Sequence, residues 1–138
     1  MIDFTLHPRL AADTHFLADL QLCRVLLLND ARFPWLILVP RRTVLRELTD
    51  LHPEDRMLAF DEIERASDAL RRLYAPDRIN VAAIGNIVNQ LHIHVVARKT
   101  TDAAWPGTVW GNGTAEPYDE ASLAVRRSEI LPYFGTGG

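Results

Sequence analysis

The stretch from Asn80 to Arg98, NVAAIGNIVNQLHIHVVAR, constrains this chain more than any other. Within it Gln90, His92 and His94 fall on one parity, while Leu91, Ile93, Val95 and Ala97 fall on the other. Successive side chains of a β-strand point to opposite faces. The pattern therefore predicts a strand with four aliphatic side chains buried on one face and a polar trio lining the other. Two imidazoles two residues apart on a rigid strand stand side by side, an arrangement suited to chemistry on a small anionic centre. This is the expected active face.

The preceding sequence supplies partners for that strand. A short helix is expected after Pro8, ending at a turn marked by Asp13 and Thr14, and a short strand over His15–Leu20. Gln21–Leu28 reads as a second strand stopped by the polar pair Asn29-Asp30. The run Trp35–Val39 is apolar on both parities, so it is expected as a central strand with both faces covered and as the second arm of a hairpin. Thr43–Leu51 reads as a connector. A long helix then begins at Pro53, with Glu54 and Asp55 complementing its positive end, and runs to about Tyr74. Met57, Phe60, Ile63, Ala66, Leu70 and Leu73 form its expected apolar stripe, opposite Asp61, Glu64, Asp68, Arg71 and Arg72. Asn80–Ile84 and Leu91–Arg98 read as two strands joined through Gly85-Asn86 and Asn89. A turn-rich segment with Trp105 and Trp110 follows, then an amphipathic helix over about 119–130. Helices beside an antiparallel sheet make the fold class α+β.

At 138 residues the chain suits one domain with a real core. Its net charge of −3 argues against a surface that coats DNA or RNA, or that binds an anionic membrane. The single cysteine, Cys23, lies in the apolar run LQLCRVLLL and reads as a buried thiol. The N-terminal residues show no basic leader, and no apolar run approaches the length of a membrane span, so a cytoplasmic protein is expected.

Two chemistries fit His92 and His94. A neutral imidazole can attack phosphorus and form a covalent intermediate while its neighbour supports the charge or supplies a proton. Alternatively, His-x-His can give two ligands to a metal. The metal reading needs further ligands, yet His7, His15 and His52 are scattered and no carboxylate shares the 90–98 strand. No metal and no cofactor are therefore expected.

The run Gln90-Leu91-His92-Ile93-His94-Val95-Val96, followed by Arg98, resembles the signature strand of the histidine triad (HIT) family, which alternates three histidines with hydrophobic residues. Val39-Pro40-Arg41 before a long helix, two closing strands, and Ala104-Trp105-Pro106-Gly107 extend the likeness over about residues 15–110, with 111–138 as an extension. The resemblance implies a five-stranded antiparallel sheet, a homodimer, and a pocket for a nucleotide or dinucleoside polyphosphate. It implies a hydrolase in which His92 attacks the α-phosphorus and becomes nucleotidylated before water releases the product. His94 would contact phosphate oxygens and donate a proton to the leaving group. Asn29 and Asp30 would meet the ribose, Gly85 and Asn86 the phosphate, and Arg98 would attract it.

Two positions depart from the family pattern. Gln90 stands for the first histidine of the triad, and Trp35 for a histidine on the WLILV strand. Gln90 can orient a neighbour but cannot hold a proton at neutral pH. It is grouped with the catalytic residues, and its presence favours leaving groups that are already stable anions. Trp35 would offer an aromatic face to the pocket. The alternative is a nucleotide-binding protein that has lost useful turnover.

Overall fold

A computed structural model describes residues 4–135. It contains five strands, β1 (Thr14–Asp19), β2 (Cys23–Leu28), β3 (Trp35–Pro40), β4 (Arg78–Ala82) and β5 (Ile93–Arg98), and three α-helices, α1 (Pro8–Asp13), α2 (Pro53–Tyr74) and α3 (Glu120–Ile130). The strands form one antiparallel sheet in the order β1-β2-β3-β5-β4. The fold is α+β, as expected. No described helix is long and apolar enough to cross a membrane.

The doubly apolar strand is indeed the middle one, and every residue of β3 is buried. One face of the sheet carries Val25, Leu27, Leu36, Leu38, Ile93, Val95 and Ala97 against α2, with Ile130 and Phe134 from the C-terminal end. The other face carries Leu26, Trp35, Ile37 and Val96 against Leu10, Phe33, Val88 and Val109. The parity read from residues 91–97 therefore holds, with the aliphatic set facing the helix. β5 starts at Ile93 rather than Leu91, because the Leu91 N–H donates to the Leu45 carbonyl instead of to the ladder. β4 lies earlier than expected, ending at Ala82. Its start is extended by the Asp77 N–H, which donates to the Arg98 carbonyl.

Helix α2 has the expected limits, and Ile63, Ala66, Leu70 and Leu73 of the expected stripe face the core, but the stripe fails in its first turns. Met57 and Phe60, expected in the buried stripe, are 70% and 65% exposed, whereas Asp55 and Glu62 are buried. The reason is polar docking. The Glu62 carboxylate accepts from the Leu22 and Cys23 N–H groups at 2.9 and 2.7 Å, at the start of β2. Asp55 accepts two bonds from Arg42, just beyond β3. With these carboxylates directed inward at the N-terminal half of the helix, Met57 and Phe60 face outward. Cys23 is fully buried, and burial together with the neighbouring Glu62 raises its thiol pKa.

The two edges of the sheet differ. β1 is bulged between Phe16 and Ala18, and the Arg127 guanidinium donates to the Phe16 carbonyl. β4 lies at the opposite edge, with Val81 about half exposed.

Arg98 is 2% exposed at the end of β5. Its guanidinium donates to both oxygens of Asp102, to Asn80 Oδ1 and to the Gly107 carbonyl. It also lies over the Phe33 and Trp105 rings. Burial alone would raise the Asp102 pKa, but Arg98 and the N–H groups of Lys99, Ala104 and Trp105 outweigh it and hold the group at about 2. With an ordinary value of 3.8, a carboxylate depressed this far contributes about 2 kcal/mol of stability above that pH. The contribution is lost as the pH falls through the folded value. Urea unfolding of the protein and of Asp102→Asn should therefore differ most near neutrality and converge toward pH 2.5. A difference that stays constant across this range would show that the carboxylate charge is not what matters.

Candidate functional site

The site is built where β5 leaves the loop 83–92. A cavity of about 360 Å³ is lined by Leu10 of α1, Leu28 of β2, Trp35 and Ile37 of β3, His94 of β5, and His92 just before β5. The loop adds Gly85, Asn86 and Ile87 among others, and Trp110 closes the wall. Gly85 has φ +69°, a left-handed conformation that glycine adopts without steric cost. Among the described residues, the charged side chains lining the cavity are Arg9 and Asp13 of α1, whose charged groups lie 3.7 Å apart.

His92 and His94 are both buried, at 8% and 7% exposure, with ring centroids 5.0 Å apart. His92 Nδ1 lies 2.7 Å from the Gln90 carbonyl oxygen. A carbonyl only accepts, so Nδ1 carries the proton and Nε2 keeps its lone pair, the tautomer a nucleophile needs. His94 has the opposite assignment. The Trp35 indole Nε1–H donates to His94 Nδ1 at 3.0 Å, so Nδ1 is bare and Nε2 carries the hydrogen. Burial, and secondarily the neighbouring His92, lower the His94 pKa to about 4. It is neutral at neutral pH.

Gln90 supports His92 through its backbone carbonyl, not its side chain. Its side-chain oxygen accepts from the His7 N–H at 2.8 Å, and its amide nitrogen donates to the Thr5 carbonyl at 2.9 Å. The amide thus clasps the segment leading into α1, one wall of the cavity. Each end of the amide meets a backbone group of fixed polarity, so its orientation is determined by the bonds themselves.

Trp35, Gly85, Asn86, His92 and His94 come together at the cavity. Three other residues expected at the site do not line it. Asn29 Oδ1 lies 3.0 Å from both His15 Nε2 and the Tyr118 N–H. Asp30 is 2% exposed, and its carboxylate accepts from Arg32 and from the Glu116 N–H. Both residues brace the C-terminal segment against the end of β2. Arg98 lies away from the cavity, buried and bonded to Asp102, Asn80 and Gly107. Of the two later tryptophans, Trp110 lines the cavity, while Trp105 lies beside Arg98. Sequence reasoning missed the contribution of α1, for which only the helix start at Pro8 gave a signal. Among the described residues, no three His, Cys, Asp or Glu side chains gather where they could hold a metal ion.

Replacing Gln90 with Ala removes two hydrogen bonds worth about 1 kcal/mol each. Amide hydrogen exchange across His7–Asp13 should rise by roughly tenfold or more, while β5 stays protected. Unchanged exchange at His7 would show that other contacts hold the segment.

The chain matches the HIT domain family model over residues 9–101. A histidine triad protein from Marinobacter aquaeolei VT8 is 43% identical, with a TM-score of 0.94 and 98% of each chain covered. A histidine triad protein from Bradyrhizobium japonicum is 41% identical, with a TM-score of 0.92, covering 95% of this chain and 98% of its own. A hypothetical histidine triad nucleotide-binding protein from Sulfolobus tokodaii strain7 is 12% identical, with a TM-score of 0.63 over 88% of this chain and 83% of its own, and shares the fold alone. A comparison with curated proteins gives no match. With the family model spanning more than half of the sequence, and close structural likeness along nearly its whole length, the chain belongs to the histidine triad family.

Proposed function

We propose that the protein is a nucleotide hydrolase that cleaves a nucleoside phosphoanhydride or phosphoramidate through a nucleotidyl intermediate on His92. The carrying observation is the 2.7 Å contact between His92 Nδ1 and the Gln90 carbonyl, which leaves Nε2 as the free, unprotonated ring nitrogen of a residue lining the cavity. Attack by Nε2 on the α-phosphorus forms a P–N bond as the bond from phosphorus to the leaving group breaks and its electron pair departs with that group, and it gives the ring a positive charge. The Gln90 carbonyl stabilises that charge by accepting from Nδ1–H, so the nucleophile itself gives up no proton in this step. His94 Nε2–H is a donor for a phosphoryl oxygen. The aliphatic and indole walls suit a base, and Gly85-Asn86 suit the phosphate. The family membership supports the same reading. A cytoplasmic setting, where such substrates occur, goes with it.

Incubation with a labelled dinucleoside polyphosphate should give an acid-labile, base-stable adduct that is lost in His92→Ala, with turnover falling on the order of 10³-fold or more. Tight nucleotide binding with neither adduct nor turnover would identify a binding protein instead.

The same reading includes a homodimer. An open groove of about 550 Å³ runs between α2 and the edge strand β4, lined by Leu48, Phe60, Ile63 and Val81 among others. Met57 and Phe60 are largely exposed, and Leu48 and Val81 nearly half so. An unpaired strand edge beside an apolar patch favours association with a second copy. Sedimentation should show a dimer that Phe60→Glu with Val81→Asp converts to a folded monomer. A wild-type monomer at high micromolar concentration would refute the pairing.

A further inference from the structure

We propose that Trp35 is a positioning residue that locks His94 as a neutral Nε2–H donor, and so restricts the site to substrates whose leaving group departs as an anion without receiving a proton. The restriction rests on the hydrolase reading, whereas the lock stands on geometry alone. Trp35 opens β3 and is 5% exposed, and its indole N–H meets His94 Nδ1 at 3.0 Å. An indole nitrogen only donates. To become an imidazolium, His94 would need a hydrogen on Nδ1, set against the indole hydrogen, and the buried bond would be lost with nothing to replace it.

The surroundings give an imidazolium no support. The residues facing His94 are His92 just before β5, Trp35 and Ile37 on β3, and Trp110 from the C-terminal segment, with ring centroids at 5.7 Å for Trp35 and 5.4 Å for Trp110. Its ladder partner on β4 is Ala82. Of these, His92 alone can carry a charge, and a charge there repels one on His94. The charged groups elsewhere on the cavity wall are Arg9 and Asp13 of α1, and Asp13 is paired with Arg9. The lowered His94 pKa, caused first by burial and then by His92, is in line with this geometry.

A neutral imidazole can donate a hydrogen bond from Nε2, but giving that proton away would leave a strongly basic imidazolate. His94 can therefore steady a phosphoryl oxygen without acting as a general acid. In the first half-reaction the His92 Nε2 lone pair forms the P–N bond, and the bond from phosphorus to the leaving oxygen breaks. Its electron pair departs with a phosphate or nucleotide oxygen that is a stable anion. In the second, water attacks phosphorus, the P–N pair returns to Nε2, and the water proton passes to solvent. An amine leaving group would instead have to depart as an amide anion, because no proton is supplied.

The test compares kcat/KM for diadenosine tetraphosphate and adenosine 5′-phosphoramidate across pH 5–8 in the protein, in Trp35→Phe and in Trp35→His, alongside ¹⁵N NMR of the histidine side chains. The expected result is a preference of 100-fold or more for the anhydride, reduced at least tenfold in Trp35→His through faster amidate cleavage on the acid side. Trp35→Phe, which loses the N–H but keeps a ring, should fall between. NMR should show His94 as the neutral Nε2–H tautomer down to pH 5 in the unsubstituted protein, and titrating at higher pH in Trp35→His. Comparable rates on both substrates, or an Nδ1–H or charged His94 at neutral pH, would overturn the proposal. Absence of a His92 adduct from either substrate would defeat the substrate restriction together with the hydrolase reading, while the NMR signal would still judge the lock by itself.

Discussion

Two adjacent imidazoles are held in opposite tautomers by partners that hydrogen-bond in one direction only. The Gln90 carbonyl accepts and fixes the proton of His92 on Nδ1, while the Trp35 indole donates and keeps the same nitrogen of His94 bare. One ring therefore offers a lone pair and its neighbour, 5.0 Å away, offers a hydrogen. Each assignment is imposed by a partner whose hydrogen-bonding direction is fixed, a carbonyl that only accepts and an indole that only donates. The rest of this end of the molecule keeps those partners in place. Trp35 begins the central strand, and the Gln90 carbonyl sits in a loop anchored by the bond from Leu91 to Leu45 and by the clasp on Thr5 and His7.

The other face of the sheet shows how a helix can be aimed by polar groups as well as by apolar ones. Glu62 and Asp55 are buried because they cap backbone and guanidinium donors at the ends of β2 and β3. Burying a carboxylate is costly unless it is fully bonded, and here each is. The exposure of Met57 and Phe60 goes with the same docking. A buried acid on one side of α2 and an uncovered apolar patch on the other are two consequences of one docking geometry.

Strand parity, the central place of WLILV and the limits of α2 were legible in the sequence because each depends on local periodicity. The pairing of His92 with His94 was legible for the same reason. What escaped was set by partners far away along the chain. Nothing local to Gln90 indicates that its amide reaches residues 5 and 7, and nothing local to Arg98 indicates that Asn80, Asp102 and Gly107 converge on it. Asn29 and Asp30 look like turn or ligand residues until Tyr118 and Glu116 are brought beside them. The helical stripe misled at Met57 and Phe60 because hydrophobic periodicity assigns no weight to a carboxylate with two backbone donors waiting for it. Trp35 was recognised as unusual, but its direct bond to His94 required the register that sets Ile37 opposite His94.

The unlike borders of the sheet bear on how large an assembly of this chain can become. At β1 a bulge and an arginine lying on the Phe16 carbonyl blunt the margin, whereas β4 presents its backbone beside an oily flank. Under the proposed pairing, strand addition through β4 would use up that margin in both copies and leave two blunted ones facing outward. Growth by this route would stop at a closed pair, so the same asymmetry would guard against open-ended fibres.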